Sequence, residues 1–151
     1  FDDSRVYGRD IKDKAAYADE LAEYIATMRI TVEVCPTSNL QTIPELAGDI
    51  RNHPVKRMIE RGMAVAIATD NTLVSHTDLN RELALVSDVC ALDLAGFKRL
   101  VLAGFKGAFY PGRYMEKRMF VRRAAERFER LVARFKRETA NNGDGGKTCV
   151  S

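Results

Sequence analysis

The chain has 151 residues, of which 46% are hydrophobic and 30% charged, and a formal net charge of +3. That apolar content suits one domain-sized core and excludes a disordered chain, and no segment approaches the roughly 20 consecutive apolar residues of a membrane span. The basic excess falls short of the concentrated footprint of a nucleic-acid binder, so neither membrane nor nucleic acid is expected as a partner.

The sequence opens at Phe1 in "FDDSRVYGRD", without a methionine or an evident domain start, and is expected to be a piece of a longer protein. Its first periodic segment places Tyr17, Leu21, Ile25 and Met28 at steps of three and four, which predicts an amphipathic helix. "TVEVC" follows, short and β-branched, and predicts a strand near 31–35 that stops at Pro36, which has no N–H to donate to a ladder. "PTSNLQTIPELAGDIRN" reads as a loop. A short helix is then expected, with Pro54 in its first turn and Gly62 as a left-handed cap. "MAVAIA" is apolar on both faces and predicts a covered strand near 63–69.

From Ser75 the pattern is helical. Ser75 or Thr77 is expected to cap a helix carrying Leu79, Leu83, Val86 and Cys90, and Asp93 another carrying Leu94, Phe97, Val101 and Phe105. Tyr110–Gly112 breaks that helix, and a last one follows with Val121, Phe128, Leu131 and Phe135 near one stripe among many arginines. Residues 139–151 are small, polar and glycine-rich, which predicts a disordered tail. Cys35, Cys90 and Cys149 are odd in number, far apart and in no C-x-x-C spacing. They argue against a disulfide framework or a cysteine zinc site, and the absence of a basic-then-apolar leader also fits a reducing cytoplasm.

Two strands separated by helices run parallel, because a return in the same direction needs a crossover, and two strands alone do not make a stable sheet. Further strands are therefore expected upstream or from another chain. Both strands end in polar clusters, "CPTSN" at Cys35–Asn39 and "TDN" at Thr69–Asn71. In parallel α/β folds the loops leaving strand carboxyl ends build the site, so Asp70 is a candidate to bind a metal or move protons. On spacing alone, capping the next turn or helix is the simpler role for Asp70. Ser38 and Asn39 either line a substrate mouth or satisfy backbone groups in the turn.

"EVCPTSNLQT", "NHPVKRMIERGMAVAIATDN" and "DLNRELALV", in that order, resemble the last third of the adenosine deaminase family, and the similarity extends through "GFKGAFYPG". The resemblance implies an α/β fold, the C-terminal part of a (β/α)8 TIM-type barrel with extra C-terminal helices, over residues 1–138. It implies a zinc-dependent hydrolase in which hydroxide attacks C6 of a purine and ammonia leaves. Asp70 matches the family's zinc-binding aspartate at the end of the final barrel strand. Asn71 falls where many members carry a second aspartate that hydrogen-bonds a ring nitrogen; an amide donates its N–H there as it stands, whereas a carboxyl must first be protonated.

The family's H-x-H pair, its later zinc histidine, its proton-shuttling glutamate and its assisting histidine match nothing here. His53 reads as a helix-start residue and His76 as a loop or helix-start residue; neither is offered as a ligand. No catalytic residue is therefore expected within the chain, Zn2+ is the expected cofactor, and the isolated chain is expected to be inactive. The expected partners are a small-molecule purine nucleoside and the N-terminal half of the barrel, supplied by the same protein or another chain. The alternatives are a deaminase of another 6-aminopurine, such as adenine or a nucleotide, and a non-catalytic barrel serving as an interaction module.

Overall fold

The computed structural model describes residues 13–143. Along the chain these form α1 (Lys14–Thr27), β1 (Thr31–Val34), α2 (Pro36–Thr42), 3-10 turns at Pro44–Leu46 and Ile50–Asn52, α3 (Val55–Glu60), β2 (Ala64–Ile67), α4 (Thr72–Ser75), α5 (Leu79–Val89), α6 (Leu94–Gly107) and α7 (Tyr114–Gly143). This is an α-rich α/β arrangement. β1 and β2 pair in parallel, Thr31 opposite Ala64 through Val34 opposite Ile67. The Ala68 N–H extends the ladder by donating to the Val34 carbonyl at 2.9 Å. Both expected strands are present, joined by a crossover through α2 and α3 as parallel pairing requires.

The core lies where the helices cover the strands. Val34, Val55, Val65, Val86 and Leu100 are buried together, with Val32, Ile67 and Leu83 packed around them. α6 packs most extensively on β2 and closes against β1 at Gly107, where a Cβ would come within 2.6 Å of Thr31 Cγ2. α7 packs on α6 through aromatic pairs, Phe105 with Phe120 at 5.4 Å between ring centres and Phe97 with Phe128 at 6.2 Å. Further along α7, Leu131 and Phe135 are exposed.

Helix ends follow local chemistry. α3 stops at Gly62, whose φ of +76° places it in the left-handed region glycine tolerates. Gly62 N–H donates to Ile59 O and Met63 N–H to Met58 O, so two otherwise orphaned carbonyls are satisfied. α5 ends in the same double hydrogen bond on Ala91, which sits at φ +48° and carries left-handed strain that glycine would avoid. Asp93 caps α6 as expected, accepting from Gly96 N at 2.7 Å.

One expectation is met and three are corrected. The expected helix with Tyr17, Leu21, Ile25 and Met28 on one face is present as α1, but it buries no residue fully: Ile25 is half-buried and Tyr17, Leu21 and Met28 are exposed. The segment after β1 is not all loop: Pro36, whose missing N–H would be unpaired in a first turn anyway, opens α2. α5 is capped by Asp78, which accepts from Arg81 N at 3.0 Å, and not by Ser75 or Thr77. Finally, α7 continues through Gly143, beyond the expected boundary at 138; the rest of the expected tail, with Cys149, lies outside the described residues.

Candidate metal and substrate site

β1 and β2 end in register, so the segments leaving their carboxyl ends emerge side by side. One carries Cys35, Pro36, Thr37, Ser38 and Asn39; the other carries Thr69, Asp70 and Asn71. The Asp70 side chain is exposed, with Oδ1 accepting from the Asn71 N–H at 2.5 Å. A hydrogen bond from the Ser38 side chain is the main influence holding the Asp70 carboxyl below its ordinary range, and the Asn71 N–H adds to it. Both donors favour the charged form, so Asp70 is a carboxylate at neutral pH.

The helix cap here is Asn71 and not Asp70. Asn71 Oδ1 accepts from Val74 N at 3.0 Å and starts α4. With its oxygen so used, Asn71 has its Nδ2 hydrogens to present to an acceptor. The charge at the strand ends is negative. The Cys35 thiol is pushed up first by burial and then by the charges of Asp70, Glu33 and Glu82. A thiol so raised keeps its proton and is no nucleophile near neutrality.

His53 and Asn39 are brought together in a structural role. His53 is buried, its Nδ1 accepts from Val55 N at 3.0 Å, and its Nε2 lies 3.1 Å from Asn39 Oδ1. These partners fix the neutral Nε2–H tautomer, with Nε2 donating. The imidazole thus ties α2 to the start of α3. Burial pushes its pKa down from 6.5. In that case the unfolded chain takes up the proton first as pH falls, so His53 adds stability above about pH 6.5 and loses it progressively below. His53→Gln in the full-length protein is expected to flatten the fall in melting temperature between pH 7.5 and 5.5, checked by thermal unfolding at the two pH values. His76 ends α4 with φ +48°, is exposed, and offers its carbonyl to Arg81 Nη1 at 3.0 Å.

Sequence reasoning missed Glu82. It is 1% exposed, and its two oxygens accept from Thr37 N at 3.0 Å and Thr77 Oγ1 at 2.6 Å. The signal was available: Glu82 lies three residues after Leu79 and four before Val86, a charge set into an apolar stripe.

Among the described residues no three His, Cys, Asp or Glu side chains converge as a metal cluster. Asp70 is an exposed, ionised oxygen donor at a strand end, the kind of group that takes one place in a zinc shell. No described helix is long and apolar enough to cross a membrane.

The family model for adenosine deaminase matches residues 9–124. Among curated proteins, the chain is 34% identical to an aminodeoxyfutalosine deaminase of Streptomyces coelicolor over 95 residues, 63% of this chain and 24% of that protein. It is 34% identical to an adenosine deaminase of Clostridium botulinum over 103 residues, 68% of this chain and 29% of that one. An adenine deaminase of Cupriavidus taiwanensis is 32% identical over 101 residues, 67% of this chain and 28% of its own length. The chain therefore spans about a quarter of the length of these relatives. Since the matched span takes in both strands, both strand-end segments, α5 and α6, the chain belongs to the adenosine deaminase family.

Proposed function

We propose that this chain is the C-terminal portion of a zinc-dependent purine nucleoside deaminase, converting adenosine or deoxyadenosine and water to inosine or deoxyinosine and ammonia. What carries the reading is the pairing, in a chain of this family, of an ionised Asp70 with Asn71 at the carboxyl end of a parallel strand. That end is where β/α barrels build their sites. The other barrel strands and the other zinc ligands lie, on this reading, outside the described residues. The chain alone then offers one ligand where three are needed, and is inactive by itself.

Zinc, when bound, acts as a Lewis acid that brings the pKa of a water close to neutrality. Asp70 would contribute a charged oxygen to hold it, with Oδ1 engaged by the Asn71 N–H. Asn71, with Oδ1 engaged by Val74 N, offers Nδ2–H to a ring nitrogen of the purine. An amide donates without titrating, so this position binds and orients the base and takes no part in proton transfer. The free thiols Cys35 and Cys90 fit a reducing cytoplasm.

The relatives' names differ at similar identity, which keeps adenine and other 6-aminopurines as a second reading of the substrate. Ammonia release from a panel of 6-aminopurines by the full-length protein separates these. Adenosine and deoxyadenosine are expected to turn over fastest. Preference for adenine or a nucleotide would move the assignment within the family's chemistry, and no release from any 6-aminopurine would overturn it in favour of a non-catalytic module.

A further inference from the structure

Glu82 carries the only acidic side chain buried among the described residues. Taking a carboxylate out of water costs several kcal/mol unless every lone pair finds a donor, and an apolar residue of similar volume would often serve stability as well or better. Its location asks for another reason. Glu82 is not a local capping device, since Asp78 already caps α5. One oxygen reaches Thr37, 45 residues earlier, in the first turn of α2; the other takes the Thr77 hydroxyl in the link between α4 and α5. Thr37 lies in the segment that leaves β1, beside the Asp70–Asn71 segment that leaves β2 in register with it, and α4 begins directly after Asn71.

We infer that Glu82 is a positioning residue: by accepting from Thr37 N–H and Thr77 O–H it clamps the two strand-end segments together and so fixes the direction of the Asp70–Asn71 segment. Its role is geometric and does not require its charge. Glutamine can keep both arms, with Oε1 accepting from Thr37 N–H and Nε2 donating to Thr77 Oγ1. The Thr77 hydroxyl hydrogen can then turn to the Asp78 carbonyl, which lies 3.5 Å away. Alanine breaks both arms.

The consequence for turnover rests on the deaminase reading above; the clamp itself does not. In the full-length, metal-loaded protein we expect Glu82→Ala to lower kcat about 10- to 100-fold, the usual loss when support behind a metal ligand is removed, while Glu82→Gln stays within about threefold of wild type. Amide hydrogen exchange at Thr37 should quicken in Glu82→Ala and stay slow in Glu82→Gln. Val86→Ala, a fully buried packing change one turn along α5, is the stability control. It should lower the melting temperature yet retain kcat when assayed well below the transition. Should Glu82→Ala fail to fold, Thr77→Val severs one arm, and a smaller fall in kcat is expected.

Equal losses in Glu82→Gln and Glu82→Ala would overturn the geometric role in favour of the charge. So would Val86→Ala losing as much activity as Glu82→Ala, or unaltered Thr37 exchange in Glu82→Ala. If the wild-type protein deaminates nothing, the functional reading falls, and Thr37 exchange alone decides the clamp.

Discussion

Asp70→Ala in the full-length protein is expected to strip the bound metal and lower turnover about 1,000-fold, equivalent to about 4 kcal/mol at roughly 1.4 kcal/mol per tenfold. The reason lies in the local geometry. Asp70 is exposed and ionised, its Oδ1 accepts from the Asn71 N–H, and Asn71 is the residue that caps α4. Removing it therefore costs little folding energy, because no buried partner is orphaned and α4 keeps its cap. Metal content by elemental analysis, with kcat and a thermal melt on the same sample, checks this. A melting temperature near wild type beside lost metal and activity is the expected pattern.

Leu100→Ala should act in the opposite way, on stability before chemistry. Leu100 is buried in the core and lines two hollows, one of about 290 Å³ with Ile67, Leu83 and Phe105, the other of about 540 Å³ with Met63, Val65 and Ala103. Truncation removes a side chain that walls both hollows and packs in the core beside Val65 of β2. Leucine-to-alanine changes in cores cost about 2–5 kcal/mol, and sites that cannot collapse lie in the upper part of that range. We expect about 3 kcal/mol, read as a lower urea midpoint at unchanged slope.

Much of the fold was legible because its signals are local. "MAVAIA" announces β2 by being apolar on both faces, Gly62 ends α3 because only a left-handed residue satisfies its last carbonyls, and Asp93 starts α6 through one side-chain hydrogen bond. Where two local signals compete, the sequence was ambiguous. Pro36 both stops a strand and opens a helix, and the structure uses it for both in succession. Ser75, Thr77 and Asp78 are all competent caps; Asp78 takes the role, while Thr77 is drawn off by Glu82.

The non-local parts were hidden. Nothing in the α1 stripe says how far it is covered, and among the described residues Ile25 is half-buried while Tyr17, Leu21 and Met28 stay exposed. Glu82 stands out in the sequence only as a charge in an apolar stripe; its partner, the Thr37 N–H, comes from 45 residues away. At the site, the position of Asp70 at a strand end follows from the apolar run before it. That the segment leaving β1 emerges beside it follows only from the parallel register, which no single segment encodes.

The most direct measurement is a crystal structure of the full-length protein with data collected at the zinc absorption edge. The account predicts an anomalous peak with an Asp70 carboxylate oxygen at about 2.0–2.2 Å, the usual zinc–carboxylate distance. A metal peak whose coordination shell leaves out Asp70, with both of its oxygens held by Ser38 and main-chain N–H groups, would contradict it.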